Sequence, residues 1–229
     1  MKKKILVVDI GGTNVKLMIS RAEKRKFNSG SRMTPRRFVE QFKIAAKGWQ
    51  FDSVSIGFPA PVKEGRVVLE PSHLPKGWIG YDFKKSLRKP VRVINDAAMQ
   101  ALGSYRGGRM LFLGLGTGLG SALVWGTTVL PLELGHLPYR DSQVIEDFLG
   151  KPGIAQMGEK AWKREVLQAV LQLKKALIAD YIVLGGGNAK RFSSLPKGIE
   201  AGHNRNAYLG GVRLWQTAAG SRRPKWEIV

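Results

Sequence analysis

An octet near the start of the chain, Asp9-Ile10-Gly11-Gly12-Thr13-Asn14-Val15-Lys16, combines a carboxylate, a glycine pair, a hydroxyl and an ammonium. Glycines in a tight turn between strands let backbone N–H groups approach an anion closely. Asp9, at the end of its strand, is suited to hold Mg²⁺ through water, because that ion favours carboxylate oxygen and keeps most of its waters. A Gly-Gly pair taken alone is an ordinary hairpin turn. The second glycine run is Gly114-Leu115-Gly116-Thr117-Gly118-Leu119-Gly120. It lacks the Gly-Lys-Ser/Thr ending of a Walker loop, and the third glycine of a dinucleotide fingerprint would fall at Leu119. Each run is a weak signal alone; the two together read as a phosphate clamp with one jaw on each half of the chain.

Asn95-Asp96 closes an apolar run just ahead of a helical one. An Asp there either caps the helix or acts as a general base, taking a proton from a hydroxyl as it attacks phosphorus. Glu133-Leu134-Gly135-His136 sits in a stretch punctuated by Gly and Pro. Its carboxylate and imidazole can both accept hydrogen bonds from adjacent sugar hydroxyls. A lone His is more often structural, and the spacing is wrong for a helical zinc pair. Glu146 opens Glu146-Asp147-Phe148-Leu149-Gly150, which by itself reads as an ordinary helix turn.

Strands must end at both glycine turns to position these groups. Ile5-Leu6-Val7-Val8 is a short apolar run and reads as a buried strand, with residues 14–20 as the next. Thr34-Pro35 opens a helix, Thr as N-cap and Pro at the first helical position. Phe38, Phe42, Ala45 and Ala46 share one face of it, and it ends near Gly48. Residues 54–58 read as a strand halted by Pro59-Ala60-Pro61, and residues 91–94 as a strand leading into a helix from Asp96 to about Tyr105. Residues 111–125 then repeat the strand, glycine turn, strand pattern, which implies two related lobes. Helical spacing runs from about Glu159 to Ala179, with Val166, Val170, Leu173 and Leu177 in phase. Residues 181–184 form a strand broken by Gly185-Gly186-Gly187, residues 207–218 a last helix, and residues 221–225 a frayed basic tail. Strands alternating with helices indicate an α/β architecture.

The chain has 229 residues, enough for one large domain or two small lobes with a core that needs no covalent staples. It contains no cysteine, which excludes disulfides, thiolate zinc sites and cysteine nucleophiles within it. That composition is compatible with a reducing cytoplasm. A hydrophobic content of 43% argues against wholesale disorder. The formal charge is +21, and residues 1–110 hold 23 basic against 8 acidic side chains. A polyanionic partner or a generally cationic surface follows. Basic residues crowd at Lys24-Arg25-Lys26, Arg36-Arg37, Lys84-Lys85 and Arg88-Lys89. Neither a signal peptide nor a membrane span is expected. The apolar run after Met1-Lys2-Lys3-Lys4 stops at Asp9, and residues 110–125 are cut by glycines.

Six motifs occur in order: Asp9-Ile10-Gly11-Gly12-Thr13, Gly57-Phe58-Pro59-Ala60-Pro61-Val62, Asn95-Asp96, Gly116-Thr117-Gly118-Leu119-Gly120, Glu133-Leu134-Gly135-His136 and Gly185-Gly186-Gly187. Together they resemble the ROK family of sugar kinases, over about residues 5 to 215. Lys76-Gly77-Trp78-Ile79-Gly80 is similar, more narrowly, to that family's polyphosphate glucokinase branch. The resemblance implies a two-lobed actin/hexokinase-like (ribonuclease H-like) fold with a central cleft. Residues 1–97 would form the N-terminal lobe and 98–204 the C-terminal one, with a last helix at about 205–220 packing back on the first. Asp9, Gly11, Gly12, Thr13 and Lys16, with Gly116, Thr117 and Gly118, would hold the phosphoryl donor, and Asp9 Mg²⁺ through water. Gly185, Gly186 and Gly187 would line the nucleotide or the far end of another phosphate donor. Asp96 would be the catalytic base. Asn95, Asp96, Glu133, His136 and Glu146 would contact the sugar, and His73 stands where the family usually has a sugar-side Asn.

The chain departs from the family where a Cys-rich zinc motif usually follows the Glu-x-Gly-His segment; residues 138–143 stand there instead, so structural zinc is not expected. Ala60 replaces a usual Gly, and only 38 residues separate Glu146 from Gly185, which shortens the expected adenosine pocket. The expected activity is a cytoplasmic glucokinase that phosphorylates the 6-hydroxyl of glucose, with polyphosphate as donor and ATP as the rival donor. Lobe closure would exclude water. A sugar-binding repressor would need a helix-turn-helix ahead of the first strand, and none is expected there. A polyanion binder by charge alone would leave the sugar and phosphate residues unexplained, as would a filament-forming actin relative. No specific nucleic acid or membrane partner is expected; a homodimer is compatible with the sequence.

Overall fold

The computed structural model describes residues 3–140, 142–203 and 205–229. Met1 and Lys2 of the basic start, Asp141 of the 138–143 segment and Asn204 lie outside the described residues. The first half runs β1 (Ile5–Ile10), β2 (Asn14–Met18), β3 (Lys24–Asn28), α1 (Pro35–Ala45), β4 (Ser53–Phe58), β5 (Val62–Lys63), β6 (Arg66–Val67), α2 (Phe83–Leu87), β7 (Val91–Asn95) and α3 (Asp96–Ser104). The second half adds β8 (Arg109–Leu115), β9 (Leu119–Trp125), β10 (Thr128–Leu132), β11 (Pro138–Arg140), β12 (Gln143–Val144), α4 (Ile145–Leu149), α5 (Lys151–Ala176), β13 (Tyr181–Gly185), β14 (Ile199–Ala201), α6 (Asn206–Arg213) and β15 (Glu227–Ile228).

Two sheets carry the architecture, in the orders β3-β2-β1-β4-β7 and β14-β13-β8-β9-β10-β15. With β15 set aside the two share one plan. The first strand of each, β1 or β8, is central, with two antiparallel strands on one side and two parallel strands on the other. The repeated pattern in the sequence is thus a repeated sheet plan, and the mixed α/β class is as read.

Strand alternation assigns the residues of β1 to two cores. Leu6, Val8 and Ile10 face outward, where Phe38 and Phe42 of α1 and Phe83 of α2 cover the first sheet. Val7 faces inward, toward a core between the sheets built from α3, α6, Phe112 and Val124. Asp9, two residues on, shares that inner face. A third core packs Leu111 and Leu113 of β8 against Trp162, Val166 and Val170 of α5. α3 and α6 cross at glycines. A Cβ built on Gly103 would stand 2.7 Å from the Gly210 nitrogen, and one on Gly210 would stand 3.0 Å from the Gly103 nitrogen. The two helices therefore meet backbone to backbone.

Helix α1 follows its sequence signals, with Thr34 Oγ1 accepting the Arg37 N–H at 3.3 Å. Several features differ from expectation, and α2, β10 and β14 are further elements that were not read. β3 is a strand where none was read. The stretch numbered α5 is two helices joined at a kink: Gly158 (φ 76°, ψ 162°) is non-helical, so the second begins at Glu159 as expected, and the first, over residues 151–157, was not read. α6 stops at Arg213, short of Ala218. The tail is not frayed: the Lys225 N–H donates to the Gln216 carbonyl at 2.9 Å, and β15 pairs in parallel with β10. Among the described residues no helix is long and apolar enough to cross a membrane.

Candidate active site

The strand ends of both sheets open on one cleft of about 480 Å³. The β1–β2 hairpin lines it with Asp9, Gly11, Gly12, Thr13 and Lys16, and the β8–β9 hairpin with Gly116, Thr117 and Gly118. Asn95 and Asp96 lie at the start of α3, and Glu133, His136 and Glu146 form the facing wall, with His73 and Gly186 also at the lining. Of the residues singled out in the sequence, Gly185 and Gly187 do not line it. Gly185 ends β13, buried against the Phe112 ring, and Gly187 precedes the short turn 188–191. Gly186 has φ +80°, and a Cβ there would sit 2.8 Å from the Leu115 nitrogen, so only glycine fits.

None of Gly11, Gly12, Gly116 and Gly118 has positive φ. The turns do not require glycine for their own φ; the missing side chains make room for neighbours, since a Cβ on Gly118 would collide with the Glu146 carboxylate and one on Gly12 would press on His73. Among the described residues the N–H groups of Gly12 and Thr117 have no hydrogen-bond partner. The carbonyls are tied back: Gly11 O accepts Ser29 Oγ at 2.5 Å, and Gly116 O accepts Asn188 Nδ2 at 3.0 Å. Among the described residues each turn thus leaves a backbone N–H unpaired, that of Gly12 in the first and of Thr117 in the second. Lys16 Nζ lies 3.3 Å from Asp9 Oδ2, its cross-strand neighbour.

β7 delivers Asn95 and Asp96. Asn95 Oδ1 accepts the Ala98 N–H at 3.1 Å and caps α3. The capping role therefore falls to Asn95 and not to Asp96, which is the first residue of the helix. Asp96 Oδ1 accepts the Ala97 N–H at 2.8 Å. Removal from water raises the Asp96 carboxyl to about 7; the charge of Asp9 and then that of Glu133 push the same way, against the Ala97 N–H. A carboxyl raised to near neutrality in a cleft that it shares with two glycine turns is a candidate general base.

Mg²⁺ usually takes one or two protein carboxylates and completes its shell with water and phosphate. Asp9, close enough to Asp96 for their charges to interact, fits that donor set. Among the described residues no group of three or more His, Cys, Asp or Glu is arranged to cage a metal by itself.

The facing wall is held from below. Ser121 Oγ donates to the Leu132 carbonyl at 2.8 Å and accepts the Leu134 N–H at 3.0 Å, fixing the loop that bears Glu133 and His136. Glu146, on α4, accepts the Leu119 N–H through Oε2 at 3.3 Å, and its Oε1 lies 3.8 Å from His136 Nε2. Loss of water raises the Glu133 carboxyl; Glu146 adds to this and His136 opposes it. His73 rests on the first glycine turn, where a Cβ on Gly12 would come within 3.3 Å of the His73 Cβ.

Glu70 was missed in the sequence. It lines the cleft, and its carboxylate accepts the Gly77 N–H at 2.9 Å and the Trp78 N–H at 3.1 Å. Burial pulls its pKa upward, but the N–H groups of Gly77, Trp78 and Ile79 outweigh it and hold the carboxyl below its ordinary range. Glu70 thereby pins the 76–80 segment to the cleft rim. The available signal was an acid directly ahead of Pro71 in a stretch rich in Pro and Gly.

A family model described as ROK family matches residues 5–145. The polyphosphate glucokinase of Mycobacterium tuberculosis (strain ATCC 25177 / H37Ra) is 25% identical over 163 residues, 63% of this chain and 59% of that protein. The glucokinase of Pyrobaculum calidifontis is 29% identical over 150 residues, 58% of this chain and 49% of that protein. The chain spans less than two thirds of the length of the curated relatives it matches. Among solved structures, the inorganic polyphosphate/ATP-glucomannokinase of Arthrobacter sp. strain KM has a TM-score of 0.78 at 22% identity, covering 92% of this chain and 97% of that one. A ROK family glucokinase of Streptomyces griseus, in complex with glucose and AMPPNP, has a TM-score of 0.66 at 17% identity, covering 91% and 98%. These likenesses show the fold, which is the actin/hexokinase-like one expected from the sequence motifs.

Proposed function

The chain belongs to the ROK family, and from that premise we propose that it is a sugar kinase transferring a phosphoryl group from inorganic polyphosphate, with ATP as a second donor, to the 6-hydroxyl of glucose. The observation that carries this reading is the position of Asp96. Asp96 lines one cleft together with glycine turns from both sheets and with Glu133, His136 and Glu146. The glucose hydroxyls would be held by that wall and by Asn95. Asp96 would accept the proton of the 6-hydroxyl as its oxygen bonds to the terminal phosphorus. The bond from phosphorus to the bridging oxygen then breaks, and the electron pair leaves with the shortened donor. The free N–H groups of Gly12 and Thr117, with Lys16, would take up charge on the donor oxygens. Mg²⁺ held through Asp9 would supply further neutralisation of phosphate charge when bound.

Donor choice draws on two features. Relatives named polyphosphate glucokinase favour polyphosphate, and the cationic first half of the chain agrees. Gly186 at the cleft lining keeps a place for ATP. The setting that suits this chemistry is the cytoplasm, where the phosphorylated sugar would be consumed. The deciding experiment is a coupled glucose-6-phosphate assay with ATP and polyphosphate supplied separately. Product with neither donor would refute the kinase reading, and product with ATP alone would refute polyphosphate as donor.

A further inference from the structure

The run Lys24-Arg25-Lys26 looks uniform in sequence, but β3 divides it. Cross-strand neighbours in an antiparallel pair share a face. Arg25 lies opposite Leu17 and goes to the outer face, where its guanidinium donates to the carbonyls of Ala45 at 2.8 Å and Lys47 at 2.7 Å and stacks 4.1 Å from the Trp49 ring. Glu23 is on that side too, accepting Trp49 Nε1 at 2.6 Å. Arg25 is therefore a structural cation. Lys26 lies opposite Lys16, which itself lies opposite Asp9, and Lys24 follows two residues along on the same face. Lys24 and Lys26 are exposed and have no ion-pair partner among the described residues. Asn28, on that face as well, lies opposite Asn14 of the cleft lining.

β3 is also fastened to the donor turn. The Ser29 N–H donates to the Thr13 carbonyl at 3.0 Å, and Ser29 Oγ to the Gly11 carbonyl at 2.5 Å. The inner face of the β1–β2–β3 hairpins thus carries a row that starts at Asp9 and continues through Lys16 and Lys26 to Lys24. Strands are about 4.8 Å apart and alternate residues about 7 Å apart, so this row extends roughly 10–15 Å beyond β1. That is past the reach of a phosphate held at the glycine turn.

We propose that Lys16, Lys26 and Lys24, with Asn14 and Asn28, form a track that carries the distal part of a long inorganic phosphate chain out of the cleft and across the β2–β3 edge. The proposal rests on the reading of the cleft as a phosphoryl-donor site. Only an extended polyanion uses all of the row; a triphosphate engages its Lys16 end. Another cationic cluster, Lys84, Lys85, Arg88 and Lys89, surrounds a separate cavity with Asp82 and Pro90, none of which line the cleft.

The test compares the double variant Lys24→Glu/Lys26→Glu with the parent and with Lys84→Glu/Lys85→Glu. Direct binding of labelled long-chain polyphosphate is measured beside coupled-assay KM values for long-chain polyphosphate, tripolyphosphate and glucose. The track predicts that Lys24→Glu/Lys26→Glu raises the long-chain Kd and KM at least about tenfold and moves the tripolyphosphate and glucose KM far less. It also predicts a log–log salt slope shallower by about two, since each lysine lost removes one counterion-displacing contact. Lys84→Glu/Lys85→Glu should leave all of these near the parent values. An unchanged long-chain Kd and salt slope in the Lys24/Lys26 variant would overturn the track while leaving polyphosphate as donor. Binding that weakens as predicted in a protein that turns over only ATP would uphold the track and overturn the donor reading. Equal losses with long and short chains, or an oligonucleotide competing as well as polyphosphate, would overturn the assignment.

Discussion

Glu146 reaches two parts of the cleft at once: its Oε2 accepts the Leu119 N–H at 3.3 Å, at the end of the second glycine turn, and its Oε1 faces His136 at 3.8 Å. The carboxylate couples the turn assigned to the donor with the wall assigned to the sugar.

Glu146→Ala should therefore raise KM for both substrates. Glu133→Ala, whose carboxyl has no such bond to the turn, should raise the glucose KM far more than the donor KM. A lost hydrogen bond to a charged group costs about 1–3 kcal/mol, or from several-fold to about a hundredfold in KM. Initial-rate kinetics with both substrates varied will show the split. Equal profiles for the two variants would remove the coupling role from Glu146.

Asp96→Asn keeps the shape of the side chain but cannot take the proton. Turnover should fall on the order of 10²–10⁴-fold, while calorimetry with glucose shows binding retained. A variant with most of its turnover would show that another group is the base.

The raised Asp96 carboxyl sets a pH dependence. The base works when ionised, so kcat/KM for glucose should rise as pH passes through about 7 and then level off. Stability runs the opposite way. An acid whose folded pKa exceeds its ordinary value of 3.8 is best accommodated below that value, and its contribution is lost as pH rises through about 7. Thermal melts at about pH 8 should show Asp96→Asn more stable than the parent, with the difference vanishing toward pH 4. A parent that melts higher at every pH would contradict the strained carboxyl.

The crossing of α3 and α6 gives a prediction remote from the cleft. Gly103→Ala brings a Cβ within 2.7 Å of the Gly210 nitrogen, a backbone atom with no rotamer to yield. Overpacking of this kind costs about 1–3 kcal/mol. Denaturant titration should show a lower midpoint with an unchanged slope. An unaltered midpoint would mean that the helices separate freely.

Much of the fold was legible because its signals are local. Thr34, Pro35, Phe38 and Phe42 specify α1 by cap, ring and period, and both glycine hairpins announce themselves by composition. β3 was not legible. Only Phe27 of Lys24–Asn28 is half-buried, so the strand has no apolar alternation and exists through pairing with β2. The tail failed similarly. β15 is fixed by its partner β10, and Trp226 by the ring of Tyr105, both distant in sequence. In the cleft, the motif residues were readable because each glycine or acid had a chemical reason to be there. Glu70 was not, since its role depends on Gly77 and Trp78 folding back onto it.

The C-terminal segment leaves α6, which packs on β1 and β4 of the first sheet, and ends as β15 on the edge of the second. Trp226 is buried, with its ring edge-on to Tyr105 and its Nε1 donating to Gln216 Oε1 at 3.0 Å. A rotation that carried α6 away from β10 would have to lengthen the path from Arg213 to Glu227 or peel the β10–β15 ladder. Residues 214–229 thus strap the helix packed on the first sheet to the edge of the second, from outside the cleft lining.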